Sequence, residues 1–525
     1  MGDDAEKKDS YFDNIKEFAN KNFNWLLLGL LALAFVVRLK FMTVNAAVWW
    51  DEADYLSVAK HYGLDLPSIA APWRSRGIEL LWAVFYKLGA NEWFIRFFNQ
   101  LISVGGVYVA YRFGKDFFNK YVGLMAGFML IFFWSPIFWS ARISLDIYAV
   151  ILWGLLALLF YHGYVLKKSK WYVFFSGVVF GAGIFIYDSV GFTAPFFAIY
   201  LLVTERLKVF KNKMFWIFII GIVLAAAPFL MWNYHDYKDD FDNPLFAMYP
   251  RLGRTYTADI AQNEQRPEGQ YWQRPMPTLL KELTQFYWTL PSMIKWPFFV
   301  GLIVGLSAFF NLFLGFDILL KGKDDSLKKL FFLLLLANVG ILVVGMLVTF
   351  TGFEFEERLW SPIFPMLFAI AGYGFYTIYN MLKKYNKLVA LGAVLFLLMF
   401  GSYSNYVYGK QLIDVKKDTY VQEKLAGEWI KENSKLGDVL AGCGLSVPLT
   451  YYSERRFFPY NYENLTFMNE DKPVFFVMDF YDPTCRPQEY LQKHQDHFTP
   501  AQVFFYDAEQ KQPIIVIFSV KYPIG

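Results

Sequence analysis

Two adjacent carboxylates, Asp51 and Glu52, stand in the stretch VWWDEADYLSVAKHYGL, and the chemistry open to them is proton acceptance by one and orientation by the other. Adjacent side chains on a helix diverge by about 100 degrees, so only one of the two can face a ligand fully. Asp54 and Tyr55 follow, and Tyr55 joins the candidates for substrate contact. Asp51 could equally be a helix N-cap, since acidic residues in a first turn are favoured by the helix dipole. A second group lies in ARISLDIYAV, where Arg142 and Asp146 are four residues apart; that spacing suits a site or an intrahelical ion pair. A third lies in EFEERLWSPIFP, where Arg358 precedes Pro362. A guanidinium at a membrane surface binds phosphate through paired hydrogen bonds, or it anchors the chain among headgroups. Arg74 and Arg76 in RSRG, and Asp188 in IYDSVGF, complete the set. Charges at the ends of membrane spans cost desolvation energy unless they are paired or wet, which makes all of these functional candidates.

The elements that must position them follow from composition. The chain has 525 residues, 56% hydrophobic and 21% aromatic, with a net charge of only +4, which gives no footing for a nucleic-acid binder. Its apolar residues are bunched into runs of roughly 20 separated by short basic segments, the signature of a polytopic helical membrane protein. Mean hydropathy is a modest +0.29 because two polar regions, 234–290 and 408–525, dilute the spans. Runs of spanning length predict helices near 25–44, 93–113, 121–138, 147–165, 171–187, 192–204, 214–233, 295–315, 330–350, 361–380 and 388–407, about eleven in all. Lysines and arginines collect in alternate loops, among them Lys115 and Lys120, Lys167 to Lys170, Arg206 to Lys213, and Lys383 to Lys387. By the positive-inside rule these face the cytoplasm together with the N-terminal segment 1–24. The transmembrane domain then occupies 25–407, with segment 45–92, loop 234–290 and the tail 408–525 on the external side. The first span serves as its own targeting signal, for the acidic and basic residues before it do not resemble a cleavable leader.

Segment 45–92 is too polar to span. Trp49, Ala53, Leu56, Ala59 and Tyr62 recur at helical spacing, and RSRGIELLWAVFYKLG forms a second amphipathic stretch; both read as helices lying in the outer interface. In the tail, KDTYVQEKLAGEWIKENSKLGDVLAG reads as a helix closed near Gly437 and followed by a strand, and LSVPLTYYSERR, KPVFFVMDF, AQVFFYDA and QPIIVIFSV read as strands. That predicts a small external α/β domain. It contains the only cysteines, Cys443 and Cys485, and an external location permits a disulfide between them. The glycines at 177, 181 and 183 suit close helix packing. His494 and His497 lack accompanying ligands for a zinc site, and no phosphate-loop, zincin or lipase motif occurs.

The run VWWDEADYLSVAKHYG, then RGIELLWAVFYKLGANEWFIRFFNQL, WSARISLDIYAVILWGLLAL and RLWSPIFPMLFAIAGYGF resembles the GT-C membrane glycosyltransferases, in particular the dolichyl-phosphate-mannose protein mannosyltransferase and aminoarabinose transferase superfamily. The likeness covers most of the chain and leaves loop 234–290 unmatched. It implies a GT-C fold and transfer of a sugar from a polyprenyl-phosphate donor to an acceptor hydroxyl at the external face, with inversion. The family's acidic residue after span one falls on Asp51, implied to be the base or acceptor-positioning carboxylate, with Glu52 beside it. Its acidic residue at the mouth of span four falls on Asp146, and its late positive residue near the lipid phosphate on Arg358. Relatives commonly place a lysine where this chain has Tyr187 and Asp188, so Arg142, Arg74 or Arg76 must supply that positive charge, or Asp188 contacts the sugar or a cation.

The resemblance thus implies a lipid-linked donor and an acceptor that is a protein, a lipid or a polysaccharide. A divalent cation could assist, since relatives differ in metal dependence. The expected setting is the plasma membrane of a prokaryote. A transporter would instead show charges in mid-span and broken helices in repeated halves, and a non-catalytic scaffold would bind donor without turnover.

Overall fold

The computed structural model describes residues 21–68, 76–239, 243–249, 275–314, 357–442, 447–459, 465–480, 488–506 and 511–524, with a few isolated positions besides. The helical bundle opens with α1 (Phe23–Leu39), α2 (Trp50–Leu64), α3 (Gly77–Lys87) and α4 (Glu92–Phe117). It continues with α5 (Lys120–Phe132), α6 (Trp134–Ser140), α7 (Asp146–Phe160), α8 (Lys170–Ile186), α9 (Ala194–Glu205) and α10 (Lys213–Tyr237). Next come α11 (Pro244–Met248), α12 (Pro275–Ile294), α13 (Trp296–Leu314), α14 (Phe364–Leu382) and α15 (Lys387–Lys416). Among the described residues five helical segments are long and apolar enough to cross a membrane, and a sixth is formed if α5 and α6 are taken as one span bent by 53°. This is an integral membrane protein. Ten of the predicted runs coincide with helices; the run 330–350 lies outside the described residues except for Phe332 and Leu336, which are helical and buried.

Three features give the bundle its shape. The first is the break between α5 and α6 at Phe133. A helix end leaves carbonyls without partners, and lipid offers no water to satisfy them. Arg38 of α1, fully buried, supplies donors instead: its guanidinium bonds the carbonyls of Leu130 (3.0 Å) and Ile131, and its Nε donates to Ser103 (3.2 Å). The second is the tight seam between α8 and α10, where a Cβ at Gly177 or Gly181 would collide with the carbonyl oxygens of Phe218 or Ile222. Gly183, the third glycine of that run, packs against the Val190 side chain instead. The third is loop 234–290, which is helical at both ends: α10 runs into it to Tyr237, and α12 leaves it. α12 lies inside a region expected to be a polar loop although its apolar residues do recur at helical spacing; Phe286 stacks on Trp360 at 4.1 Å while Tyr287 and Trp288 are exposed.

The rest of the chain forms α16 (Val421–Asn433), β1 (Val439–Gly442), α17 (Val447–Ser453), β2 (Arg456–Pro459), α18 (Leu465–Asp471), β3 (Phe475–Asp479), α19 (Gln488–Lys493), β4 (Phe498–Phe505) and β5 (Pro513–Val520). The strands make one sheet in the order β2-β1-β3-β5-β4, parallel among the first three and antiparallel through β5. Every residue of β3 is buried because both faces are covered. Phe475 and Val477 face the cluster with Ala426, Ile430 and Leu449, whereas Phe476 and Met478 face Met468 and Phe498. An α/β unit is therefore present, as composition suggests. Its limits differ: α15 runs straight through residue 408 to Lys416. The stretch VPLTYYS, part of a run expected to be a strand, is also helical, not extended, as α17. Pro448 suits a first helical turn, and all seven residues of α17 are buried, so burial on every side produced an apolar run without helical periodicity. Cys443 and Cys485 lie outside the described residues.

Candidate active site

The sheet unit docks on α2 and α3. Lys60 pairs with Glu454 (2.8 Å), and the cluster of Ala53, Leu56, Ala59, Trp82 and Tyr86 takes in Val447, Tyr451 and Tyr452. The apolar face predicted for α2 is thus real, but it is buried against protein. On α3 the exposed apolar residues are Leu81, Val84 and Leu88, a face suited to the bilayer interface.

Asp51 and Glu52 are the second and third residues of α2, and their adjacent directions give them different surroundings. Glu52 is 3% exposed, and its Oε2 accepts the N–H of Trp49 (3.1 Å), closing the helix start from inside. Burial raises its pKa, opposed by the positive charges of Arg96 and Arg142. Asp51 is half-buried and keeps the more open direction. The N-cap position belongs to Trp49, so Asp51 is not the cap. Tyr55 is also half-buried, against the cluster shared with the sheet unit.

Arg142 lies in the turn between α6 and α7, outside any helix that could pair it with Asp146, because α7 begins only at Asp146. The predicted intrahelical ion pair does not form. Side chains from elsewhere hold this turn by its carbonyls. Asn45 donates to Ala141 (2.6 Å), Arg96 to Ala141 (3.3 Å), Asn99 to Arg142 (3.4 Å) and Gln100 to Ser140 (2.5 Å). Residues 96, 99, 100 and 103 fall at i, i+3, i+4 and i+7, so they form one polar stripe along α4, buried throughout. The guanidinium itself is 1% exposed, sits between the rings of Trp49 and Phe138, and none of its three nitrogens has a hydrogen-bond partner among the described residues. Burial pulls its pKa down to about 9, with Glu52 acting the other way, so it stays charged at neutral pH. A buried guanidinium that leaves its donors unused carries an uncompensated desolvation cost, which a bound anion would offset.

The sheet unit adds a residue that sequence reasoning missed. Tyr420, at the start of α16 with φ +65°, lies within electrostatic range of both Asp51 and Arg142, and burial together with Glu423, Asp479 and Asp51 pushes its pKa up to about 12. Its left-handed backbone between α15 and α16 is visible only in the fold, and no local sequence pattern marks it.

The other predicted residues divide into two groups. Asp146 accepts from Tyr187 Oη (2.8 Å) and Ser144 Oγ (2.6 Å), while Asp188 accepts from Tyr249 Oη (3.1 Å). They form a second polar patch where α7 and α8 meet; Gly77 lets α3 abut it, since a Cβ there would fall 2.6 Å from the carbonyl oxygen of Phe185. Arg76 stands apart. Its guanidinium bonds Asp236 (2.5 Å) and the hydroxyl of Tyr62 and lies over the ring of Tyr237 at 4.5 Å. Arg74 and the side chain of Arg358 lie outside the described residues. Among the described residues no group of three or more His, Cys, Asp or Glu side chains is placed to hold a metal ion.

Against known proteins, residues 76–232 match the family described as Dolichyl-phosphate-mannose-protein mannosyltransferase, a segment that contains Arg142, Asp146 and Asp188. No curated protein matches the chain. Solved structures do. ArnT from Cupriavidus metallidurans bound to undecaprenyl phosphate matches with a TM-score of 0.64 at 13% identity, covering 94% of this chain and 98% of that one. The Archaeoglobus fulgidus oligosaccharyltransferase in complex with zinc and sulfate matches with a TM-score of 0.56 at 12% identity, over 94% and 73%. The archaeal oligosaccharyltransferase AglB from the same organism, in complex with an inhibitory peptide and a dolichol-phosphate, matches with a TM-score of 0.52 at 11% identity, over 96% and 75%. Within residues 76–232 the chain is thus similar to that mannosyltransferase family, and along nearly its whole length, sheet unit included, it has the fold of ArnT and the archaeal oligosaccharyltransferase.

Proposed function

We propose that the protein moves a sugar from a polyprenyl-phosphate carrier to an acceptor hydroxyl, with inversion at the anomeric carbon, on the side of the membrane that carries the sheet. The observation that carries this reading is Arg142, a buried guanidinium without a hydrogen-bond partner among the described residues, with Tyr420 in electrostatic range of both it and the half-buried Asp51. The carrier's tail stays in the bilayer and its phosphate meets Arg142. As the acceptor oxygen forms its bond to the anomeric carbon, Asp51 takes the hydroxyl proton. The bond from that carbon to the phosphate oxygen breaks, its electron pair leaves with the phosphate, and the carrier gains one negative charge. A carboxylate is a weak base toward an alcohol, so stabilising this leaving group by Arg142 lowers the barrier more. Asp146 and Asp188, with Tyr187 and Tyr249, serve as sugar contacts, and Glu52 holds Arg142 and the start of α2 in place.

Support for a lipid-linked donor comes from the undecaprenyl phosphate on ArnT and the dolichol-phosphate on AglB. The lysine-rich turns 115–120, 167–170, 206–213 and 383–387 all lie at the helix ends away from Asp51, which favours a cytoplasmic setting for that end and an external one for the sheet by the positive-inside rule. In a prokaryote the membrane is the plasma membrane. The test is transfer from a panel of polyprenyl-phosphate sugars by wild type and Asp51→Asn, with and without a chelator, following both sugar release to water and product. Donor binding retained with turnover lost in D51N places Asp51 in the chemical step. Equal activity in both proteins removes it and moves the base to Asp146, and loss of activity on chelation brings a divalent cation into the reaction.

A further inference from the structure

We infer that Tyr452, which belongs to the sheet unit, is a positioning residue for the anion site of the helical bundle: its hydroxyl holds the segment that sets Trp49 against Arg142. The inference rests on the reading of Arg142 given above and supplies that site with a support from the far end of the chain.

Residues 45–49 link α1 to α2 without regular secondary structure, so no helix or sheet ladder dictates their path and their backbone groups must find partners elsewhere. Ala46 uses both of its groups: its N–H donates to the carbonyl of Lys417 (3.0 Å) and its carbonyl accepts from Lys424 Nζ (3.0 Å). Val48, 0% exposed, donates its N–H to the hydroxyl oxygen of Tyr452 at 2.8 Å, across 404 residues of sequence. Trp49 donates to Glu52, and its ring lies against the guanidinium of Arg142. Asn45 ties the start of the segment to the Ala141 carbonyl, and the two residues nearer Trp49 that hold it by hydrogen bonds, Ala46 and Val48, are held by groups beyond residue 416. Ala47 between them is buried in the cluster that also contains Tyr452.

Without the Tyr452 hydroxyl the buried Val48 N–H has neither water nor a partner, and an unsatisfied buried donor costs more than the bond itself was worth. The segment must move to recover a partner, and Trp49, the next residue, moves with it. The guanidinium of Arg142 has no hydrogen bonds of its own to fix its direction, so the ring beside it governs where its donors point.

The experiment uses the full-length protein and measures affinity for undecaprenyl phosphate and for dolichyl phosphate beside the thermal unfolding midpoint. Four variants are compared. Tyr452→Phe should weaken phosphate affinity by about tenfold, and Arg142→Met should abolish it. Tyr522→Phe removes a half-buried hydroxyl bond within the sheet unit, Tyr522 to the Pro473 carbonyl at 2.8 Å; it should lower the midpoint and keep wild-type affinity. Lys424→Met removes an exposed contact to Ala46 and should weaken affinity two- to threefold, roughly the worth of one surface hydrogen bond, which keeps the inference testable should Y452F fail to fold. Wild-type affinity in Y452F or, if that variant does not fold, in K424M, with affinity lost in R142M, overturns the inference and leaves the proposed function standing. Equal losses in Y452F and Y522F also overturn it, because the effect would then be one of general stability. A wild type that binds neither phosphate overturns both.

Discussion

Arg76 and Arg142 are both buried arginines at the sheet end of the bundle, and sequence offered both as partners for a phosphate. Arg76 is fully engaged by Asp236, Tyr62 and the ring of Tyr237, at a corner where Trp232 also donates to Asp236 (3.0 Å). Arg142 has rings on both sides and, among the described residues, no hydrogen bond; the carboxylate that acts on its charge, Glu52, is itself occupied with a backbone N–H. The chain has thus spent many interactions on placing Arg142, through four donors to the carbonyls of its turn, and none on neutralising its head. A paired buried charge braces the fold, whereas a placed and unpaired one stores the desolvation cost until an anion arrives.

Substitution can break this contrast in opposite directions. The largest effect belongs to Arg142→Met: transfer should fall about 10²–10³-fold, the usual loss when a donor to developing negative charge is removed. Its unfolding midpoint should be no lower than wild type, because an unpaired buried charge has gone. A large drop in midpoint with activity retained would make Arg142 a structural residue. Next comes Arg76→Met, which should cost about 1.5–3 kcal/mol of stability as charged hydrogen bonds are lost, with turnover per folded molecule unchanged. The double variant R76M/D236L should recover part of that stability; a severe loss of turnover in it would merge the two arginines into one site.

The smallest effect sharpens the comparison through Glu52. Its folded-state pKa is raised from the ordinary value of 4.5 by burial, less so than burial alone would demand because Arg96 and Arg142 oppose it. A carboxyl group that holds its proton more tightly when folded contributes stability at low pH, and this contribution declines as pH rises from the unfolded value through the folded one. Glu52→Gln should therefore flatten the fall of the midpoint over that window. The glutamine oxygen still accepts the Trp49 N–H, so the change isolates the charge. Identical pH profiles in both proteins would sink the assignment.

Much of the scaffold was legible in the chain because membrane helices are written locally, as runs of spanning length and basic turns. Asp51, Glu52 and Arg142 were legible for the same reason, as charges that such runs rarely contain. What escaped notice depends on partners distant in sequence. Nothing near Arg76 announces Asp236, and nothing near Val48 announces Tyr452. The stripe Arg96, Asn99, Gln100 and Ser103 was visible at helical spacing, yet its meaning depends on the turn it faces and on Arg38. α17 was missed since full burial erases the periodicity that identifies a helix, whereas α12 keeps that periodicity and was hidden by the polar stretch around it.

The 30-residue helix α15 leaves the bundle and delivers the chain to the sheet unit through the single turn 417–420, which ends at Tyr420. At 1.5 Å and 100 degrees per residue it is a rod about 45 Å long, so its length acts as a screw thread. One residue inserted near Gly409, which packs on Trp134, would turn everything beyond it by about 100 degrees and carry Tyr420 and Tyr452 off their stations. Drift in sequence along this rod is therefore cheap, while drift in length is forbidden, and descendants of this chain should vary the letters of α15 but keep their number.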